Sequence, residues 1–277
     1  MSDAERYIDF IHNYCDRWCE RCERTSRCRV FAMEQRAAAE PGARDPRNGR
    51  FWRILGEMLD RAQQMIREAA REQGIDLDHQ DPAAYEQSAA EKRRAREYPL
   101  VDAGHAYAKL VDRWFAANRA HFEEKEMEFG RNLDAEPSGS AEPWGSAERS
   151  GSAEPSGSGR DEESMQLLDA LEVVRWYQYQ IPVKLVRAVS SQQQAGPAGE
   201  DDGSQEDADG SAKVALIAMD RSLASWGVLR KVFLASQPQD AVLDLLLALD
   251  RLRRWTQQSF PAARSFIRPG FDDAPVG

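Results

Sequence analysis

All four cysteines of the 277-residue chain lie within one stretch of fourteen positions, and no other feature constrains the local fold as strongly. They are Cys15, Cys19, Cys22 and Cys28, with the spacing C-x3-C-x2-C-x5-C. Apolar residues at three- and four-residue steps predict a helix over residues 4–22. On that helix the first three sulfurs would share one stripe, and the chain after Thr25 and Ser26 would turn back to supply the fourth.

This spacing predicts a metal centre. Four thiolates that converge from a helix and the following turn suit a tetrathiolate metal ion or an iron–sulfur cluster. Zinc sites of four cysteines usually contain two C-x2-C pairs, whereas this chain has one. The sequence therefore favours a [4Fe–4S] cluster bound through the four cysteines, with a redox, sensing or structural role. A Zn²⁺-stapled helical protein-interaction module is the alternative, and metal-free or redox-switching thiols are a third interpretation.

Charged residues accompany the cysteines. Guanidinium groups close to a thiol lower its pKa and offset the charge of a thiolate centre, and this effect is expected from five arginines: Arg17, Arg21, Arg24, Arg27 and Arg29. His12 stands three residues before the first cysteine and could replace one ligand. A partly buried histidine is the simpler interpretation of that position.

The segment Cys19-x2-Cys22-x5-Cys28 resembles the last three ligands of the [4Fe–4S] loop in endonuclease III-type DNA glycosylases, whose pattern is C-x6-C-x2-C-x5-C. The resemblance covers about fourteen residues and implies a cluster. It departs from the pattern in its first spacer, which has three residues, and at Glu23, where the glycosylases usually have proline. Because the rest of the chain lacks that family's Gly-rich hairpin and catalytic lysine/aspartate pattern, the resemblance implies no base excision.

Two further resemblances imply no activity for this chain. The first three cysteines match the radical-SAM spacing C-x3-C-x2-C, but that family needs a β/α barrel, and no run of this chain alternates with period two. The stretch from Tyr14 to Cys22, together with the helix around Trp176 and Tyr177, resembles an uncharacterised all-helical bacterial family.

The rest of the chain carries helical periodicity. Apolar stripes predict further helices at about 25–40, 51–74, 82–97, 99–130, 163–190, 213–235 and 240–259. Pro182 predicts a kink inside the helix over 163–190. The predicted fold class is all-α: a single helical bundle of six to seven helices with two disordered acidic loop insertions.

The two insertions differ from the rest in composition. Four Ser-, Gly- and Glu-rich hexapeptides run from Ala135 to Ser158, so residues 134–162 are predicted to be a disordered linker. Residues 191–212 are predicted to be a disordered acidic insert. These segments hold most of the excess acid behind the net charge of −10. The remaining parts are an N-terminal half-bundle with the cysteine site (1–133), the kinked helix (163–190), and C-terminal helices with an extended docking tail (213–277).

A second candidate site lies on the kinked helix. A carboxylate and aromatic side chains beside Pro182 predict a ligand pocket, which would suit a metalloenzyme; its residues are Glu172, Trp176, Tyr177 and Tyr179. Packed core aromatics with satisfied polar tips are the simpler interpretation. The sequence identifies no catalytic residue.

Location and partners follow from what the chain lacks. The start of the chain has no secretory signal, and no apolar run is long enough to span a membrane. We expect a cytoplasmic protein with reduced thiols and no membrane contact. An unidentified protein or redox partner is expected. Nucleic-acid binding is not, because no broad basic surface is apparent.

Overall fold

The computed structural model describes residues 6–39, 45–72, 74, 76–77, 82–120, 159–195, 203–233 and 240–272. Over these residues the chain forms seven α-helices and three short 3-10 turns, with no β-strand. The prediction of an all-α fold with six to seven helices is confirmed.

The helices follow the apolar stripes of the sequence. Their bounds are α1 Arg29–Ala38, α2 Gly49–Glu72, α3 Pro82–Arg96, α4 Pro99–Ala117, α5 Gly159–Gln194, α6 Ser204–Phe233 and α7 Asp240–Ser259. Helices α3 and α4 begin with proline, which is tolerated there because a backbone N–H in the first turn has no hydrogen-bond acceptor within the helix. Gly74, with φ 70°, follows α2 in the left-handed conformation that commonly ends a helix.

The contacts of the chain divide it into two compact units. Unit 1 contains Met1–Asp102, Val183–Ile217 and Thr256–Gly277; unit 2 contains Ala103–Pro182 and Ala218–Trp255. Helices α5, α6 and α7 each contribute to both units. Each unit thus combines half-helices that are far apart in sequence. Helix α5 continues through Pro182, and the boundary between the units falls directly after that residue.

Aromatic side chains form the centre of unit 2. Trp226 is fully buried, and its Nε1 donates a hydrogen bond of 2.9 Å to Oη of Tyr107. The ring of Trp114 meets Trp226 edge to face, with centroids 4.9 Å apart. Such a pair contributes about 0.5–1.5 kcal/mol beyond the apolar area that it buries.

Three boundaries predicted from composition are wrong. Helix α5 already begins at Gly159 and continues to Gln194, and helix α6 begins at Ser204, inside the predicted acidic insert. Ala208 and Ala212, which were assigned to that insert, are fully buried. Acidic residues in the first turn of α6 are favourable because they lie at the positive end of the helix dipole. Residues 196–202 of the predicted insert and 134–158 of the predicted linker lie outside the described residues.

Helix α2 carries its predicted apolar stripe at the surface. Leu59 is 62% exposed, and Met65 and Ile66 are each 59% exposed. Ala70 is the buried residue of this helix. Among the described residues nothing covers most of the stripe, so α2 contributes little to the core of unit 1.

Gly210 of α6 is required by close packing in unit 1, and this gives a prediction. A Cβ at this position would lie 2.6 Å from Cδ1 of Tyr14 and 2.8 Å from Cζ of Phe266. We expect Gly210→Ala to lower the free energy of unfolding by about 1–3 kcal/mol, because two rings would have to shift. Urea unfolding followed by circular dichroism measures the change.

Gly227→Ala is the matched control on the same helix. Nothing lies within 4 Å of a Cβ at Gly227, so alanine there should stabilise the helix by roughly 0.5–1 kcal/mol. Equal effects of the two substitutions would contradict the packing of Tyr14 and Phe266 against Gly210.

Candidate metal centre

The cysteines lie in a compact loop and not on the helix predicted over residues 4–22. The described part of that segment contains only the 3-10 turns Ile11–Asn13 and Cys19–Arg21, and a third turn, Thr25–Arg27, follows. Phe10 and Arg17 have positive φ angles of 57° and 59°, which interrupt any helix. The helix prediction is therefore wrong. The apolar spacing that suggested a helix comes from side chains that are buried although the backbone is not helical: Tyr7, Ile11 and Trp18.

A backbone hydrogen bond closes this loop at its neck. The N–H of Ile8 donates to the carbonyl of Arg27 at 3.0 Å. Residues 8–28 are called the cysteine loop below. Helix α1 begins directly after it, and its N-cap is Cys28.

The cysteine loop brings all four thiols to one cavity. The cavity has a volume of about 310 Å³, including the space open to solvent, and Cys15, Cys19, Cys22 and Cys28 all line it. Each cysteine is a free thiol of intermediate exposure. All four cysteines contribute to the wall of this cavity, which three turns form instead of one helical stripe.

Apolar and polar side chains complete the cavity wall. The apolar ones are Ile11, Trp18 and, from the far end of the chain, Phe271. The polar ones are His12, Asp16, Arg17, Arg24 and Thr25. This lining combines soft sulfur donors with a partly dry, cationic surrounding, which suits a metal group with thiolate ligands.

Backbone N–H groups point at two of the sulfurs. Arg24 donates its N–H to Sγ of Cys22 at 3.4 Å, and Phe31 donates to Sγ of Cys28 at 3.5 Å. The loop backbone thus supplies a hydrogen-bond donor to the sulfur at each of these two positions. The thiol of Cys15 instead donates to the carbonyl of His12 at 3.4 Å.

The expected lowering of thiol pKa is not seen for the other two cysteines. Burial raises the pKa of Cys15, and the nearby charges of Lys184 and Arg17 only partly oppose it. Burial, Glu34 and the three other cysteines raise the pKa of Cys19 to about 11. Without metal these two thiols are protonated at neutral pH, so metal binding must release their protons.

The five arginines are exposed and only two of them line the cavity. Arg17 pairs with Glu34 at 3.8 Å, and Arg21 stacks over the ring of Trp18 at 4.1 Å. Their charges are therefore largely solvated, and the lowering effect of Arg17 on the pKa of the Cys15 thiol is outweighed by burial.

Helix α5 holds the cysteine loop by the carbonyl of Asn13. Nζ of Lys184 donates to this oxygen at 3.1 Å, and a guanidinium N–H of Arg187 donates to it at 3.3 Å. Asn13 stands two residues before Cys15, so these bonds fix the chain where it enters the cavity.

Helix α6 supplies the carboxylate that completes this contact. Asp207 forms an ion pair with Arg187, whose Nε donates to Oδ2 at 3.0 Å. Asp207 also accepts hydrogen bonds from Oγ of Ser191 at 2.7 Å and from Oη of Tyr14 at 3.2 Å. One carboxylate thereby joins α5, α6 and the cysteine loop.

The C-terminal tail, predicted only to dock in an extended form, reaches the same cavity. It packs through turns and not as an extended strand: Phe260 and Ala263 are buried, and Phe271 lines the cavity. Asp272 holds this end through ion pairs with Lys213 at 2.7 Å and with Arg268 at 2.9 Å.

His12 lies at the cavity and stays a candidate additional ligand. Burial lowers its pKa, and the charges of Arg17, Arg187 and Lys184 lower it further. The imidazole is therefore neutral at pH 7, which is the form that binds metal.

The pocket predicted around Glu172 does not form as expected. Glu172 is exposed, and Tyr179 is 54% exposed with its hydroxyl donating to Asp112 at 2.9 Å. Tyr177 is fully buried and bonded to Arg221, and Trp176 is half-buried. Glu172, Trp176 and Tyr179 follow one another at four- and three-residue steps and share a partly exposed stripe of α5, whereas Tyr177 lies in the core. The predicted pocket is therefore wrong, because Glu172 falls outside the apolar stripe of the helix.

Sequence reasoning missed the residues that hold the loop. Lys184 carried a usable signal, because it sits between the buried residues Ile181 and Leu185 on the apolar face of its helix. Asp207 carried none, since the surrounding acidic run resembled a linker. Phe271 was expected to dock, but nothing in the sequence identified the cysteines as its neighbours.

Within the described chain, no set of three or more His, Cys, Asp or Glu side chains stands in position to hold a metal ion; the four thiols share a cavity but not a ligand geometry. None of the described helices is long and apolar enough to cross a lipid bilayer. The chain matches no protein-family model, no curated protein and no solved structure. The resemblance to endonuclease III-type glycosylases stays a prediction.

The carboxylates around the loop predict acid sensitivity of unit 1. Burial alone would raise the pKa of Asp207, but the bonds from Arg187 and Ser191 outweigh it and hold this pKa below its usual value. Asp272 is lowered in the same way, by Arg268 and Lys213 acting against burial. Both groups bind fewer protons folded than unfolded, so stability is fully present above pH ~4 and falls as the pH decreases through that value.

Thermal unfolding of the metal-free chain between pH 7 and pH 3 measures this loss. Asp207→Asn should be less stable at pH 7 and should show a shallower decrease toward pH 3. A variant that loses stability with the full slope of the parent chain would show that Asp207 does not contribute. Asp244→Asn, which changes an exposed carboxylate of unit 2, is the control and should keep the slope of the parent chain.

Proposed function

We propose that the chain binds a [4Fe–4S] cluster through Cys15, Cys19, Cys22 and Cys28, with a redox, sensing or structural role. The observation that carries the proposal is the shared cavity: four free thiols from one short loop line it together. When bound, such a cluster accepts and releases single electrons.

The chain's own residues supply what such a group needs. Ile11, Trp18 and Phe271 limit water at the cavity, which protects a cluster from hydrolysis and oxidation. The N–H groups of Arg24 and Phe31 stabilise negative charge on two sulfurs. The anchoring of Asn13 by α5 holds the loop in place whether or not a cluster is bound.

Zn²⁺ is the second candidate, supported by the same four thiols. In that case the centre would be structural, fastening the cysteine loop to α1 in a helical interaction module. The proposed location is the cytoplasm, where free thiols persist, and the proposed partner is a protein or redox partner. A metalloenzyme site at Glu172 is not proposed, because that carboxylate lies at the surface.

Anaerobic reconstitution tests the proposal. The chain is incubated with ferrous iron and sulfide, desalted, and examined for broad visible absorbance that dithionite bleaches. We expect iron and sulfide in equal amounts, and we expect both to fall to background in Cys19→Ala and Cys22→Ala. Ser26→Ala, which changes an exposed residue of the same loop outside the cavity, should load normally.

The outcomes separate the two candidates. A colourless chain that retains stoichiometric zinc and does not bind iron would show that the centre is a zinc site and not a cluster. Both candidates would be wrong if the parent chain retained neither metal. They would also be wrong if the cysteine variants bound as much metal as the parent.

A further inference from the structure

Lys184 is a buried cation that the described fold leaves without a carboxylate partner. Its residue is 7% exposed, and its ammonium donates to the carbonyl of Asn13 at 3.1 Å. Within the part of the chain that the structure describes, no carboxylate lies within ion-pair distance of Nζ. The charged or titratable groups that act on it are Cys15, Arg187, Arg17 and, at longer range, Asp16.

Burying an unpaired ammonium is unfavourable, and the structure shows that cost. Burial lowers the pKa of Lys184, while the proximity of Cys15 raises it. A neutral carbonyl satisfies one donor but supplies no opposite charge. A group with negative charge on the cysteine side would remove the penalty.

Arg187 is a second cation at the same carbonyl, and it does have a carboxylate partner. It donates to the same carbonyl of Asn13, yet its charge is neutralised within the fold by Asp207. Two cations thus hold one carbonyl, and only one of them has a carboxylate. Asn13 stands two residues before Cys15, so the uncompensated charge of Lys184 is held against the chain just before that cysteine.

We propose that Lys184 is the internal counter-charge of the cysteine centre, and that its ammonium offsets the negative charge that a bound thiolate-ligated metal group places on Cys15. This inference rests on the proposed function, for either the cluster or zinc. Lys184 is a positioning and charge-compensating residue, not a ligand.

The consequences differ for charge and for hydrogen bonding. Lys184→Gln keeps a donor for Asn13 and removes the charge, Lys184→Met removes both, and Lys184→Arg keeps both. Lys109→Met, at an exposed lysine of unit 2, controls for the loss of one positive charge from the chain.

Three measurements follow. In the cluster-loaded chain, redox titration should show a more negative potential for Lys184→Gln and Lys184→Met, because reduction adds charge that the variants no longer offset. Changes around metal ligands typically alter affinity by about 10-fold or more, and a tenfold shift of a one-electron couple is about 59 mV.

In the zinc-loaded chain, chelator competition should show about tenfold weaker binding. In the metal-free chain, iodoacetamide should modify Cys15 more slowly in both variants, as read by mass spectrometry.

Lys184→Arg and Lys109→Met should behave like the parent in all three measurements. If Lys184→Gln matches the parent while Lys184→Met does not, the hydrogen bond matters and the counter-charge proposal is wrong. If both variants match the parent, it is also wrong. If Lys184→Met does not fold, the comparison of Lys184→Gln with Lys184→Arg still decides.

Failure of the proposed function looks different. In that case the parent chain itself would hold neither iron nor zinc. The rate of Cys15 modification in the metal-free chain would then still report whether Lys184 acts on this thiol.

Discussion

The carbonyl of Asn13 accepts hydrogen bonds from two cations of one helix, and the position of the cysteine loop depends on this contact. Hydrogen bonds to charged groups contribute about 1.5–3 kcal/mol each. Because they act two residues before Cys15, they fix the entrance of the loop, while the bond between Ile8 and Arg27 fixes its neck. The three turns between these points can then direct four side chains to one cavity without a regular helix.

One carboxylate of an acidic run has a structural role that composition conceals. Asp207 neutralises Arg187 and accepts the hydroxyl of Tyr14. The fold thereby pairs one of the two cations at Asn13 with a carboxylate and leaves the other, Lys184, without one among the described residues.

The sequence predicted those features that depend on local patterns. Helix α7 was predicted at Asp240–Ser259 because its apolar stripe is dense and its ends are clear. The shared position of the four cysteines also followed from their spacing. The backbone conformation of the cysteine loop could not be predicted, because Phe10 and Arg17 have positive φ angles without a glycine in the sequence to indicate them. Lys184 lies 171 residues from Asn13, so only tertiary structure reveals the contact.

The hydrogen-bonded neck of the cysteine loop has a thermodynamic consequence. A metal group that binds only the closed loop adds to the stability of unit 1 through mass action, by about 1.4 kcal/mol for each tenfold increase of free metal above its dissociation constant. The melting temperature of the chain would therefore rise with the supply of such a metal group.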